Sequence, residues 1–350
     1  MQAIFSTLTK WMVSKRVELL ASVLAESLMD THTEKQLMPP TVGHPMGQDS
    51  PQMNYWRSQS SVTLAGPASK VLDDLPSDLS GLREVSRELV AHYMGASDGS
   101  SGPITGERLK EVDLRYADLI FSRLLELSPT LHNKRTPEQR MAGCCRDFAV
   151  LFVSMARHKG IPARVRVGYA TYFQPGWYID HVIAEVWDSK AERWRLVEPE
   201  IGDTVVAKAN IDPLNVRPDQ FVTGPRAWLA ARSGQVDPER FVVAPNLQIP
   251  YTRSWLSLRH HIVQDLAALN KLEVLVWDQW GILNEDDPLL HSDMLDQLAR
   301  VMAETNCPVD ELSKWSRREE LRVPKTVTSY SPTQASPLTV DVTRTIESFH

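Results

Sequence analysis

The chain has 350 residues, 42% of them hydrophobic and 23% charged, with a formal net charge of −6. That length and composition suit a globular protein of one large or two modest domains with a sizeable core. The acidic balance gives no general attraction to nucleic acid or an anionic membrane, and no stretch approaches the ~20 uninterrupted apolar residues of a membrane span.

Near the N-terminus, Lys10, Lys15 and Arg16 interrupt the apolar residues, so the segment lacks the h-region of a secretory signal. Glu18 and Glu26 argue against an organelle-targeting helix, and residues 13–29 read as an ordinary amphipathic helix. Residues 31–62 are rich in Pro, Gln, Met and Ser without a period and read as a loop or linker. Helical patterns follow at about 77–95 and 106–128. In the second, Leu109, Val112, Tyr116, Leu119, Ile120, Leu124 and Leu127 recur at spacings of three and four.

The centre of the chain changes character. Residues 145–159 have the length and apolar density of a buried helix, with Gly160 placed as its C-cap and Pro162 preventing its resumption. Residues 164–172 alternate like a half-buried strand, and 181–188 and 193–199 read as a hairpin. A helix, a strand and a hairpin in that order make an α+β unit. Helices are then expected at 218–232, along a long apolar stretch at 252–280, and at 287–304 behind Asp287–Pro288 in an N-cap and N1 arrangement. The Ser/Thr/Pro-rich residues 324–350 are expected to be disordered, and there is no internal repeat.

Three cysteines, two of them adjacent (Cys144 and Cys145) and Cys307 far away, do not form a disulfide framework. A reducing, cytoplasmic compartment fits them best. Cys145 should lie at the N-terminal end of the central helix, where positive partial charge and free N–H groups favour a thiolate. Both cysteines can equally be small core residues. His181 opens a strand and can aim one ring nitrogen at a helix start beneath it, although a solvated loop histidine would look the same in sequence. Glu198, near the end of the neighbouring antiparallel strand, can reach the other nitrogen and fix the tautomer. Together the three form a nucleophile, base and orienting carboxylate.

The stretch from Gly143 through "CCRDFAVLFVSMARHKGIPARVRVGY", then "HVIAEVWD" and "RWRLVEPE", resembles the core of the transglutaminase-like superfamily. The resemblance implies an α+β, papain-like cysteine-enzyme core, here with helical N- and C-terminal extensions. Matched residue by residue, it implies Cys145 as the nucleophile, because Cys145 precedes Arg-Asp-Phe-Ala, and leaves Cys144 on a variable position. It also implies His181 as the catalytic histidine. The third place, an aspartate in the family, falls on Glu198, with Asp180 and, less well placed, Asp203 as alternatives for its role. Asp147 and Arg164 match family positions and read as structural hydrogen-bonding groups.

On this reading the chain divides into an N-terminal helix and linker (1–75), the core with its preceding helices (76–215), a C-terminal helical region (216–323) and the tail (324–350). The Cys145 backbone N–H would be the first oxyanion donor, with Gln139 or Trp177 as candidates for the second. Residues 258–281 would line or cover the cleft. His260–His261 lacks further spaced ligands, so no metal is expected, and no organic cofactor is needed. The expected chemistry is acyl transfer through an acyl-thioester enzyme. The donor would be an amide or thioester, such as a peptide or a carrier-bound acyl group, and the acceptor an amine or water. The calcium-type acidic loops and β-sandwich lengths of the large animal crosslinking enzymes are not evident, which favours a non-crosslinking, biosynthetic substrate. A cysteine protease or amidase, and an inactive binding protein on the same fold, are the alternatives.

Overall fold

The computed structural model describes residues 50–95 and 102–344. The helix expected at 13–29 and most of the expected linker lie outside the described residues. What is described of that linker is not a spacer. Helix α1 (Pro51–Arg57) starts behind Ser50, whose hydroxyl accepts from the Met53 N–H at 3.3 Å, with Pro51 in its first turn. Met53 and Trp56, three residues apart on one face, are both fully buried. The composition is that of a loop, but two large side chains at helical spacing outweigh it.

A short helix α2 (Ser69–Leu72) precedes α3 (Leu79–Leu89), which Asp78 caps by accepting from the Gly81 N–H at 2.9 Å. The chain then extends directly into β1 (Val90–His92). The single helix expected over 106–128 is two elements, a 3₁₀ segment at Gly106–Asp113 and α4 (Ala117–Leu127). Glu111 turns inward to accept from the Ala142 N–H at 2.7 Å and from Arg123 Nε at 2.9 Å. Tyr116 is extended, and Ala117 donates its N–H to the Val62 carbonyl at 2.7 Å.

Strand β2 (Met141–Gly143) runs parallel to β1 and leads into α5 (Cys145–His158), which is buried from Cys145 to Arg157. As expected, α5 ends ahead of Gly160, whose φ of 75° suits glycine. Strands β3 (Ala163–Ala170), β4 (Tyr178–Asp188) and β5 (Arg193–Val197) then form an antiparallel meander, with Gly168 opposite His181 and Ala184 opposite Val197. A further helix, α6 (Asp203–Ala209), has no buried residue and left no apolar period to read.

Strand β6 (Phe221–Thr223) joins the far side of β3, so the helix expected at 218–232 is only α7 (Gly224–Arg232). Strand β7 (Phe241–Val242) lies parallel to the start of β4. The stretch expected as one helix to 280 ends early as α8 (Ser254–Leu269). Asn270 caps it, and Lys271 is left-handed at φ 61°. Glu273, Trp277, Asp278 and Trp280 therefore follow α8 in a loop and in β8 (Asp278–Gln279). Asp287 caps a separate turn by accepting from the Leu289 N–H at 2.9 Å, and α9 (Ser292–Ala303) begins later than expected.

Helix α10 (Val309–Ser316) follows. The residues after 324, expected to be disordered, include β9 (Thr326–Ser329) and β10 (Leu338–Asp341), which pair antiparallel, with β9 also pairing β8. Polar partners elsewhere in the chain hold this hairpin: Ser329 Oγ accepts from Arg115 at 3.1 Å, and Arg344 makes a bidentate contact to Asp118 at 2.9 and 2.8 Å. Such anchors leave no trace in local composition.

Apolar burial centres on α5. Phe148, Leu151, Phe152 and Met155 pack against Leu82 and Val85 of α3, Ile120 and Phe121 of α4, and Val165, Val182 and Ala184 of the sheet. A second cluster surrounds α8, where Leu258, Ile262 and Leu266 meet Trp56, Tyr169, Trp194 and Trp228. If α1 is part of this core, Trp56→Ala will cost about 3–5 kcal/mol. Urea denaturation at fixed pH measures this, and an unchanged midpoint would mean that α1 contributes nothing.

Candidate active site

The sequence Gly143-Cys144-Cys145-Arg146-Asp147 makes a tightly tied helix start. Cys144 is the extended N-cap residue and Asp147 lies at N3, where its Oδ2 accepts from the Cys144 N–H at 2.8 Å. Its other oxygen accepts from Arg146 Nη1 at 3.0 Å. Arg146 also donates to the carbonyl of Glu273 (Nε, 3.1 Å) and to that of Arg115 (2.6 Å), both outside the helix. Gly143 is required by close approach: a Cβ there would sit 2.8 Å from Asp147 Oδ2 and 2.8 Å from Val90 Cγ1. Cys144 thus has a structural place, buried at the cap, that reading it as a variable position does not reveal.

Cys145 occupies the first turn of α5 at 9% exposure. The surroundings of the thiol oppose the acidification expected of a helix start. Its hydrogen bond with the Cys144 thiol, its burial and the nearby Asp180 and Glu200 carboxylates, in that order, push its pKa well above the ordinary 9.0.

The chain brings His181 and Glu198 together. His181 Nε2 lies 2.7 Å from Glu198 Oε2, and both side chains are buried. Glu198 leaves the β4 ladder just after β5: its N–H donates to the Pro213 carbonyl at 2.8 Å, and its own carbonyl accepts from Arg83 Nε at 2.9 Å. The carboxylate also accepts from the Tyr172 hydroxyl and from the Glu200 N–H at 2.8 Å. With five groups fixing its backbone and carboxylate, His181 among them, the longer glutamate side chain is well anchored.

His181 belongs to the face of β4 that carries Ile183, whereas Val182 and Ala184 pack on α5. Phe173 stands edge-on to the imidazole at 5.0 Å. No hydrogen bond of the described residues joins Cys145 to His181. The two do share surroundings: Asp180 and Glu200 act electrostatically on both, and Cys145 acts on Tyr172.

The other candidates are engaged elsewhere. Gln139 Oε1 accepts from the Thr136 N–H at 3.1 Å, turning the amide onto its own 3₁₀ turn. Trp177 lies under the Arg240 guanidinium, 5.3 Å from the ring centroid. Asp180 is held by His261 Nε2 at 2.7 Å, so it does not share the place of Glu198. Asp203 is exposed and pairs with Arg87 at 3.2 Å, which removes it from the site. Among the described residues no group of His, Cys, Asp or Glu could hold a metal ion, and no helix is long and apolar enough to cross a membrane.

Residues 109–199 match the family model of the transglutaminase-like superfamily. This segment is a transglutaminase-like core. Members of the superfamily are typically cysteine-dependent enzymes, and the match extends the recognisable core upstream of Gly143 to take in α4 and β2. No curated protein matches the chain. A solved structure described as "a Putative Cysteine Protease from Cytophaga hutchinsonii" is 17% identical over 50% of this chain and 46% of that one, with a TM-score of 0.30. The chain thus spans a little under half the length of that structure, and overlap of this depth carries no conclusion about activity.

Sequence patterns singled out neither Tyr172, inside the matched segment, nor Glu200 and Trp277, which lie beyond it. Tyr172 follows a strand in "ATYF" and has no motif of its own. Trp277 was read as a helix residue. It instead packs edge-on to Tyr93 at 6.3 Å, and the Tyr93 N–H donates to the Gly143 carbonyl at 2.8 Å, two residues before Cys145. Its indole Nε1 is buried without a hydrogen-bond partner among the described residues.

The His181–Glu198 pair makes stability depend on pH. Burial opposes the charged form of His181, but Glu198 prevails and raises its pKa above the ordinary 6.5. Burial likewise opposes ionisation of Glu198, yet His181, Tyr172 and the Glu200 N–H bring its pKa below the ordinary 4.5. A raised histidine stabilises fully below its unfolded pKa and loses that contribution as pH rises through its folded value. A depressed carboxylate stabilises above its unfolded pKa and loses it as pH falls. The stability gap between the native protein and Glu198→Gln is therefore expected to be widest between about pH 4.5 and 6.5 and to narrow on either side. Denaturation across that range measures it, and a flat gap would contradict the ion pair.

Proposed function

We propose that the protein is a cysteine acyl-transfer enzyme in which Cys145 is the nucleophile, His181 the general base and acid, and Glu198 the orienting carboxylate. The observation that carries this reading is the buried 2.7 Å contact between His181 Nε2 and Glu198, on a transglutaminase-like core whose central helix opens at Cys145. With Nε2 committed to the carboxylate, Nδ1 is the nitrogen left to take the thiol proton.

In this reading proton transfer to Nδ1 accompanies attack rather than preceding it, and Cys145 and His181 come within hydrogen-bond reach when substrate is bound. Sulfur adds to the acyl carbonyl of an amide or thioester. The tetrahedral intermediate then collapses as imidazolium protonates the departing amine or thiol. His181 next accepts a proton from an incoming amine or water, which attacks the acyl-thioester and releases Cys145. The Cys145 N–H would hold the oxyanion, and the Trp277 indole N–H, buried without a partner among the described residues and packed on the Tyr93 that bonds Gly143, would be the second donor in place of Gln139 or Trp177. The favoured substrate is a small or carrier-bound acyl group rather than a crosslinked protein. Hydrolysis of a peptide or amide uses the same residues.

A second reading, an inactive binding protein on this fold, is favoured by the burial of Cys145, among surroundings that push its pKa up. Incubating the protein with acyl thioesters and a panel of amines, and identifying products by mass, separates the readings. Catalysis predicts turnover that Cys145→Ala abolishes and that Trp277→Phe lowers about 10²-fold in kcat, the usual cost of one oxyanion donor. Amide products mark a transferase and free acid a hydrolase. Turnover surviving in Cys145→Ala would remove the proposed nucleophile, and absence of turnover on every substrate, together with stable ligand binding, would favour the binding protein.

A further inference from the structure

The three residues proposed to react are all covered: Cys145 is 9% exposed, His181 2% and Glu198 0%. A substrate carbonyl has to reach the thiol and the imidazole, so some element must move aside before turnover. The face of β4 that carries His181 shows which. Ile183, Leu196, Ile201 and Phe221 belong to a buried apolar cluster on that face. The cluster runs up to the imidazole. Phe173, half-buried against it, stands 5.0 Å from the His181 ring, and Phe221 stands 6.4 Å from it.

The cover of this cluster is the excursion between β5 and β6 that carries α6. Its stems are pinned at the carboxylate itself. The Glu198 N–H donates to the Pro213 carbonyl at 2.8 Å and the Val216 N–H to the Leu196 carbonyl at 2.9 Å, so the chain leaves and returns at one place. Arg83 holds the outgoing stem through the Glu198 and Ile201 carbonyls, at 2.9 and 2.5 Å, and Ile201 and Ile211 are both buried. A surface loop whose ends meet in this way is an Ω-loop, a form often used at functional sites.

Between the stems the hold is slight. Val205, Val206 and Ala209 of α6 are half-buried on the cluster, and no residue of the helix is fully buried. Asp203 meets Arg87 at 3.2 Å in a pair open to solvent, which adds little, and the Asn210 carbonyl accepts from Gln220 at 3.3 Å. The helix is nonetheless a compact body. Asn210, left-handed at φ 48°, turns the chain back, and the Ile211 N–H donates to the Val206 carbonyl at 3.2 Å. Firm stems and a compact, weakly held middle let α6 lift as a unit by local opening.

We propose that residues 199–213 are a lid over the His181–Glu198 couple, and that the apolar surface beneath α6 receives the chain of an apolar acyl donor. Lifting α6 bares the cluster beside the imidazole, and a chain laid there replaces the contacts of Val205, Val206 and Ala209. The ligand assignment rests on the acyl-transfer reading, whereas the opening of α6 is a property of the fold.

Modification of His181 by diethyl pyrocarbonate, followed by peptide mass, reads the opening without any substrate. Val206→Asp puts a carboxylate against the cluster and is expected to speed the modification about 10-fold. Asp203→Lys sets a like charge beside Arg87, leaves the apolar packing alone, and is expected to speed it less. His261, 3% exposed on α8, stays unreactive in both unless the fold itself opens. An unchanged His181 rate in a folded Val206→Asp, or in Asp203→Lys where Val206→Asp does not fold, would overturn the lid. Calorimetry on Cys145→Ala then compares the acetyl and octanoyl thioesters of N-acetylcysteamine. The octanoyl thioester is expected to bind at least about 10²-fold tighter, within the roughly fourfold that each buried methylene can give. Equal affinity, or no binding of either, would overturn the apolar site. Turnover of the octanoyl thioester keeps the two readings apart. Turnover that survives in Cys145→Ala sinks the acyl-transfer reading while the His181 rates still report the lid. Cys145-dependent turnover with unchanged His181 rates and equal affinities sinks the lid and its ligand alone.

Discussion

The site depends first on how the start of α5 is tied. Asp147 accepts from the Cys144 N–H and from Arg146, and Arg146 reaches out to the Glu273 and Arg115 carbonyls. One buried Arg–Asp pair therefore links the turn that carries Cys145 to the loop after α8 and to the segment before α4. Arg115 continues the linkage through Asp278 and Ser329 into the C-terminal hairpin. A buried ion pair with one partner removed leaves an uncompensated charge, so such a network fixes geometry more than it adds net stability. The fold uses it to set the direction of the helix that opens at Cys145.

The sheet supplies the second half. The β3–β4 register places Gly168 opposite His181, and the departure of Glu198 from the β5 ladder turns its carboxylate back to the imidazole. Arg164 and Arg166 grip Glu185 farther along β4 at 2.6 and 2.9 Å, and Arg166 also holds Asp265 of α8. The sheet, α5 and α8 thus meet through charge-assisted bonds at the places where apolar packing cannot specify register. Arg164, expected to be structural, does this work, and its guanidinium also lies over Trp194 at 4.0 Å.

The central part of this arrangement was legible in the sequence. The helix at 145, its stop at Gly160, the strand near 164 and the hairpin all carry strong local periodicity and turn chemistry, and the structure holds them within a few residues. Local patterns failed where distant partners decide the outcome. Trp56 makes a helix of a Pro- and Ser-rich stretch because Trp194 and the α8 cluster receive it. The hairpin at 326–341 forms because Arg115 and Asp118 anchor a polar sequence. The helix expected to reach 280 breaks at Lys271, where a left-handed residue turns the chain towards Arg146. Cys145, His181 and Glu198 could be named from residue type and spacing. The contacts of Tyr172 with Glu198 and of His261 with Asp180 could not, because a hydroxyl or imidazole reaching across the fold leaves no period in the chain.

The central claim is that Cys145, and not its neighbour, carries the acyl group. Brief exposure to an activated acyl thioester, an acid quench and peptide mapping of the 144–145 pair by fragmentation mass spectrometry test it most directly. The account predicts a single acyl group on Cys145, formed far more slowly in His181→Ala and Glu198→Gln. Acylation of Cys144 instead, or of Cys145 at a rate indifferent to His181 and Glu198, would contradict it.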